Sequence, residues 1–281
     1  MPKKVLCAVS HGLYEPWISI LKDGQEKTWL NSTRPQGFEL IHFHGTPLNK
    51  FGVFLDFLHE KIRWSGRRKA SVLKILDYFM VYPFMLYRAK FSESKLLFSK
   101  DFVLHIHFPD SYLTYRWKEL GLFRYFLEKT DADYLFITST SSYVNIDKFM
   151  EYIQGLPESN VYAGGVPYKD AEFISGSNRI LSRDLVNRII QNSNKFNPTI
   201  IEDVALGKLV SALGVKRISF PLMNISTLED LSVLKYGFLS NHYHFRLKSG
   251  PLNARNDAKI MIKLHRILLE GKENEGLSNN S

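Results

Sequence analysis

Asp131-Ala132-Asp133-Tyr134-Leu135-Phe136-Ile137-Thr138-Ser139-Thr140-Ser141 is the stretch that decides the fold. An acidic turn leads into five β-prone residues, and three hydroxyl side chains follow. A short apolar run bounded by turn signals is the pattern of a strand buried on both faces. Next comes a helical stretch, Ile146 to Gln154, closed by Gly155 and Pro157, and then a short strand, Val161 to Gly164. The alternation continues upstream. Lys4 to Ser10 is an apolar strand ending at Ser10-His11-Gly12, and Pro16 to Leu30 reads as a helix weakened by Gly24. Phe38 to Phe43 and Phe102 to Phe108 are strands, and Thr114 to Lys129 is a helix. Val53 to Phe91 carries helical periodicity, broken near Ser65-Gly66 and at Pro83. Downstream, Phe173 to Leu181 reads as extended, and Ser182 caps a helix reaching Gln191. Glu202 to Leu213 is a helix stopped by Gly214, Val215 to Phe220 a strand, and Ala258 to Leu269 a last helix.

Strands alternating with helices predict an α/β fold, a mostly parallel central sheet flanked by helices. No internal repeat is visible. The expectation is one domain over residues 1–270 and a flexible polar tail over 271–281. In such sheets ligands sit beyond the carboxyl ends of the strands, where Ser10, His11, Ser139, Thr140 and Ser141 fall.

The 281 residues are 44% hydrophobic, enough for a substantial core and against global disorder. A single cysteine, Cys7, cannot form an internal disulfide, and no signal peptide is evident, so the expected location is cytoplasmic. The longest uncharged aromatic stretch, Tyr78 to Tyr87, is about half of the roughly 20 residues a spanning helix needs.

The net charge of +9 points to an anionic partner. Lys61, Arg63, Arg67, Arg68, Lys69 and Lys74 cluster with no acidic residue among them, and Arg88, Lys90 and Lys95 follow. Two readings stand for the segment 61–95: a core helix with a solvated basic face, or a patch lying on the inner, anionic face of a membrane. A nucleic-acid-binding protein is the competing class, suggested by a pI of 9.4 and aromatic residues beside basic ones. No nucleic-acid motif supports it, and Glu202-Asp203 would repel a phosphate backbone.

Four segments, in order, resemble the beta-1,3-galactosyltransferase and Fringe-like glycosyltransferases. Asp110-Ser111-Tyr112-Leu113-Thr114 with Lys118 is similar to that family's Asp-Ser-Tyr block, shortened by one residue. Tyr134 to Thr138 with Tyr143-Val144-Asn145-Ile146-Asp147 resembles its strand, metal loop and Phe-Val-Asn-Val-Asp segment. Val161 to Gly165, Ile174-Ser175-Gly176 and Leu181-Ser182-Arg183-Asp184-Leu185 form the third. Glu202-Asp203-Val204 with Gly207 and Leu213-Gly214-Val215 form the fourth. The likeness covers residues 110–215, under half the chain, and extends to distant soluble bacterial and large-virus relatives of the family.

The resemblance implies a GT-A-like, Rossmann-like fold and an inverting transfer of a sugar from a UDP-sugar donor. Galactose, galactofuranose, xylose and N-acetylglucosamine donors are all open. The acceptor would be a hydroxyl of a glycan or lipid-linked glycan. Asp203 is the implied general base, with Glu202 as the alternative. Both stand at a helix start, where the macrodipole lowers a carboxylate's pKa and predicts a weaker base. Where the family carries an acidic triplet, this chain has Ser139-Thr140-Ser141. Hydroxyls are poor first ligands for magnesium or manganese, so no divalent metal is expected there. A degenerate, non-catalytic sugar binder would show the same change.

Leaving-group charge then needs other cations. Asn241 to Ser249 alternates polar and apolar; extended, it puts His242, His244, Arg246 and Lys248 on one face, with Arg255 in the loop beyond. That row reads as a pyrophosphate clamp, as a solvated strand face, or as a zinc site of the histidine pair. His42/His44 and His105/His107 read as ordinary strand histidines, a zinc set being unsupported. Ser10 and His11 would meet the nucleotide base or simply form a turn. Asp110 would bind sugar hydroxyls or cap the helix after it.

Overall fold

The computed structural model describes residues 2–47, 90–95, 101–110, 115–197, 200–250 and 255–278. Most of the basic segment 61–95, and residues 111–114 of the first resembling block, lie outside the described residues. The strands are β1 (Val5–Ser10), β2 (Phe38–Thr46), β3 (Phe91–Lys95), β4 (Phe102–Pro109) and β5 (Tyr134–Ser139) in the first half. They continue as β6 (Ser142–Val144), β7 (Tyr162–Val166), β8 (Asn178–Ser182), β9 (Arg217–Pro221) and β10 (His244–Arg246).

Eight of these strands form one sheet in the order β3-β4-β2-β1-β5-β8-β7-β9, and β6 pairs with β10 separately. β1 runs parallel to β2 and β5, β2 parallel to β4, and β7 parallel to β9. β3 and β8 run against their neighbours. The sheet is therefore mixed but mostly parallel, as the alternation of elements predicted. Its central strand, β1, is buried from Val5 to Val9, which requires cover on both faces.

Alternation along β1 separates two cores. Leu6 and Ala8 join Phe43, Leu104 and Ile137 under the helices Tyr115–Lys129, Arg183–Gln191 and Glu202–Ala212. Each of these helices offers an apolar stripe at helical spacing, for example Ala205, Leu206, Leu209 and Val210. Val5, Cys7 and Val9 join Phe136, Phe149 and Leu264 under the helices Ile146–Gly155 and Asp257–Ser278. Asn145 caps the first of these by accepting from the Lys148 backbone N–H at 3.4 Å. Phe136 is fully buried and stacks on Phe149 with centroids 4.3 Å apart, so truncating it to alanine costs about 3–5 kcal/mol.

Four local expectations are revised. The helix expected over Pro16 to Leu30 is only Trp17–Ile20, followed by a widened turn at Leu21–Gln25 and a tight turn at Trp29–Asn31. Ala258 of the last helix packs so close to Gly24 that a Cβ there would sit 3.1 Å from its Cα, and Thr28 Oγ1 takes the Gly24 carbonyl at 2.8 Å. The extended stretch expected from Phe173 shrinks to β8, because the chain bends at Glu172–Phe173 and turns at Ser175–Asn178, where the Asn178 N–H reaches the Ser175 carbonyl at 3.0 Å. The strand expected over Asn241 to Ser249 shrinks to β10, pairing with the unforeseen β6. The last helix continues to Ser278 rather than ending near Leu269, with Lys272 paired to Asp147 at 2.8 Å. Among the described residues, no helix is long and apolar enough to cross a membrane.

Candidate active site

The carboxyl ends of β1, β2, β4 and β5 bring Ser10, His11, Asp110 and Ser139 to one edge of the sheet. Antiparallel β8 delivers the turn that precedes it, Ser175 to Ser177, to the same edge. On one side of this edge lies a charged network that the sequence reading missed. Arg179, fully buried on β8, donates from Nη1 to Glu119 and to Glu202 Oε1, the latter at 2.7 Å. Its Nη2 reaches Glu202 Oε2 at 3.3 Å and Asp203 Oδ1 at 2.6 Å. Register with Ile137 of β5 fixes Arg179 on this face. An arginine inside an otherwise apolar strand, Asn178-Arg179-Ile180-Leu181, was the available signal, since a buried guanidinium requires carboxylate partners.

Glu202 and Asp203 occupy the first turn of their helix, whose preceding Ile201 supplies no side-chain cap. The expected weakening by the helix dipole is not the outcome. Burial pushes Glu202 up to about 7, with the Glu119 charge adding to it and Arg179 opposing. Burial, then the neighbouring Glu202, pushes Asp203 up to about 8. Three carboxylates around one guanidinium hold excess negative charge, and retaining a proton relieves it. Asp203 differs from the other two in access: its side chain is 23% exposed, whereas Glu119 is fully buried. Gly176 permits this placement, because a Cβ there would stand 2.7 Å from Asp203 Oδ1. Tyr115 hydrogen-bonds Ser10, linking β1 to the same network.

On the other side, the Ser139-Thr140-Ser141 loop is held from several directions. Gln25 Nε2 donates to the carbonyls of Ser139 and Ser142, each at 3.0 Å, and Trp29 Nε1 donates to Ser142 at 3.1 Å. The Thr140 N–H reaches the Ser10 carbonyl at 3.3 Å, and the Leu247 N–H reaches the Ser141 carbonyl at 2.7 Å. Arg255 donates from Nη2 to Ser141 Oγ at 2.6 Å and lies over the Trp17 ring, 5.0 Å from its centroid. Its Nε contacts the buried Asp257 at 2.9 Å, so its charge is already balanced. Gln25, Trp17 and Asp257 were not foreseen.

The row expected of four cationic groups is not assembled as a row. His244, Arg246 and Lys248 alternate with Phe245 and Leu247, both of which are fully buried. His242 instead lies before β10, its Nδ1 2.8 Å from the Phe238 carbonyl. His244 is buried against Thr138 Oγ1, 3.3 Å from Nε2, and burial lowers it to about 3. It is neutral at pH 7 and adds no charge. Asp110 accepts from Lys118 Nζ at 2.7 Å and from the Gly45 N–H at 3.2 Å. His11 packs edge-on to His42 and His44, and burial lowers it to about 3.

No family model and no curated protein matches the chain. Solved structures match only loosely. The glycosyltransferase GlyE of Streptococcus pneumoniae TIGR4 has a TM-score of 0.43 and 8% identity over 97% of this chain. The chain spans 64% of that protein's length. A glycosyltransferase involved in glycosylation of the PBCV-1 major capsid gives 0.42 and 10%, covering 93% of this chain and 98% of that one. Mouse xyloside xylosyltransferase 1 gives 0.36 and 8%, covering 89% and 98%. Overlaps this loose transfer no chemistry, and the Fringe-like resemblance rests on the sequence segments alone.

Proposed function

We propose that this chain is an inverting glycosyltransferase with a GT-A-like fold, using a UDP-sugar donor and a glycan hydroxyl as acceptor. The observation that carries the reading is Asp203: a part-exposed carboxylate in a Glu-Asp-Val segment, at the carboxyl edge of the sheet, held by buried Arg179. The acceptor oxygen attacks the anomeric carbon, and the bond to the diphosphate breaks with its electron pair leaving on UDP. The acceptor proton passes to Asp203. A carboxylate raised toward neutral pH is a better proton acceptor than an ordinary one. Negative charge growing on the diphosphate is met by Arg246 and Lys248, with Ser139 offering a hydroxyl and no divalent ion at the 139–141 loop. Arg255 orders that loop rather than acting as a spare cation.

UDP-sugar turnover in excess EDTA tests the reading. Sugar transfer or donor hydrolysis is expected in wild type and lost in Asp203→Asn. Saturable UDP binding without turnover of any donor would instead favour a non-catalytic sugar binder. Absence of UDP binding removes both.

A further inference from the structure

Glu26, His42 and Asp101 come from three separate places: the segment after the widened turn, the middle of β2, and the residue before β4. Each offers a ligand atom, and these atoms all lie within 4.8 Å of one another. His42 is fully buried, and neither ring nitrogen has a hydrogen-bond partner. Its Nε2 points toward Asp101 Oδ2 at 3.9 Å, too far for a hydrogen bond. A buried imidazole without partners is costly unless something else satisfies its lone pair. Asp101 is nearly buried and accepts both Nη groups of Arg34, at 2.5 and 2.7 Å.

We propose that Glu26, His42 and Asp101 form a structural site for a zinc-type transition metal ion. One imidazole nitrogen and two carboxylate oxygens are a donor set such an ion accepts, with water completing four-coordination. Ligands about 2.0–2.2 Å from the ion require the three atoms to draw inward by roughly an ångström, within reach of side-chain rotation. The ion would tie the segment around Glu26 to β2 and the start of β4. The preceding residue, Gln25, holds the Ser139 and Ser142 carbonyls, so the site would brace the loop at the active edge without reaching it.

The test uses the full chain, stripped with a chelator and titrated with Zn2+ and with Co2+ as a spectroscopic probe. One ion per chain is expected, with a rise in Tm of roughly 5 °C or more at a hundredfold excess over Kd. Glu26→Gln alters a half-buried residue, and its folding is checked by circular dichroism. It should weaken binding by no less than the roughly 10–100-fold that losing a group behind a ligand costs. His42→Gln should do the same and remove the histidine contribution to the Co2+ spectrum. No saturable binding in wild type overturns the site. So does binding that survives both variants and disappears in His105→Ala/His107→Ala, which would put the ion on that neighbouring pair.

Discussion

Arg179 Nη2 donates to Asp203 Oδ1 across 2.6 Å while its Nη1 holds Glu119 and Glu202. One buried guanidinium thus sets the position of three carboxylates, of which Asp203 alone is appreciably open to solvent. The relationship makes Arg179 a positioning residue for the proposed base.

Arg179→Met should therefore destabilise the fold by about 3–5 kcal/mol, because it strands buried carboxylates. Urea unfolding measures this. Adding Glu119→Gln should recover part of the loss, since it removes one of the stranded charges. Equal stability of the two variants would mean that the carboxylates are relieved by protonation alone.

Asp203→Asn preserves size and removes proton acceptance. Turnover should drop by roughly 100-fold or more while UDP affinity holds. In wild type the rate should climb with pH through the region of 7 to 8, because burial raises Glu202 to about 7 and Asp203 to about 8 and the base works deprotonated. A flat rate between pH 6 and 9 contradicts the assignment. An active Asp203→Asn beside an inactive Glu202→Gln moves the base to Glu202.

Leaving-group stabilisation separates two arginines. Arg246→Ala should weaken UDP binding by about 1.5–3 kcal/mol, as loss of a charge-assisted hydrogen bond does, and lower turnover further. Lys248→Ala should act in the same direction. Arg255→Ala should instead loosen the Ser141 loop and lower Tm, since Asp257 already balances its charge. Calorimetric titration with UDP distinguishes them, and unchanged affinity in both Arg246→Ala and Lys248→Ala removes the clamp.

Transfer should persist in EDTA below the unfolding temperature, with manganese raising it less than about twofold, far below what charge neutralisation by a required ion supplies. Loss of activity in EDTA at unchanged Tm, restored by manganese, would place a divalent ion in the mechanism after all.

Acid should unfold the protein through its buried histidines. Burial lowers His11 and His244 to about 3 and His42 to about 4, so the unfolded chain takes up protons that the folded chain refuses. Their contribution to stability is intact above pH 6.5 and is lost as pH falls from there toward these values. Each imidazole costs on the order of 2 kcal/mol by pH 5, at about 1.36 kcal/mol per unit. Near pH 5 these histidines add about three protons to the slope of unfolding free energy against pH, Glu202 and Asp203, raised to about 7 and 8, subtract about two, and His244→Asn should reduce the slope by about one.

Sequence by itself determined the layered α/β plan. Leu135 to Ile137 and Val5 to Val9 are continuous apolar runs bounded by turn signals, the pattern of a short strand covered on both faces. Helical spacing of Leu185, Val186 and Ile189, and of Ala205, Leu206, Leu209 and Val210, fixed which stripes cover it. The Glu202-Asp203 pair and the hydroxyl loop were legible as chemistry because their residue types are local facts. Tertiary structure decided the rest. Arg179 meets Glu119 only because antiparallel β8 packs beside β5, a pairing that no local period encodes. It also reversed the electrostatics of Glu202 and Asp203, since a helix dipole is local whereas desolvation is set by everything packed around the group. His242 and His244, two residues apart in sequence, end in different surroundings because a turn and a three-residue strand replace the long strand that their alternation suggested.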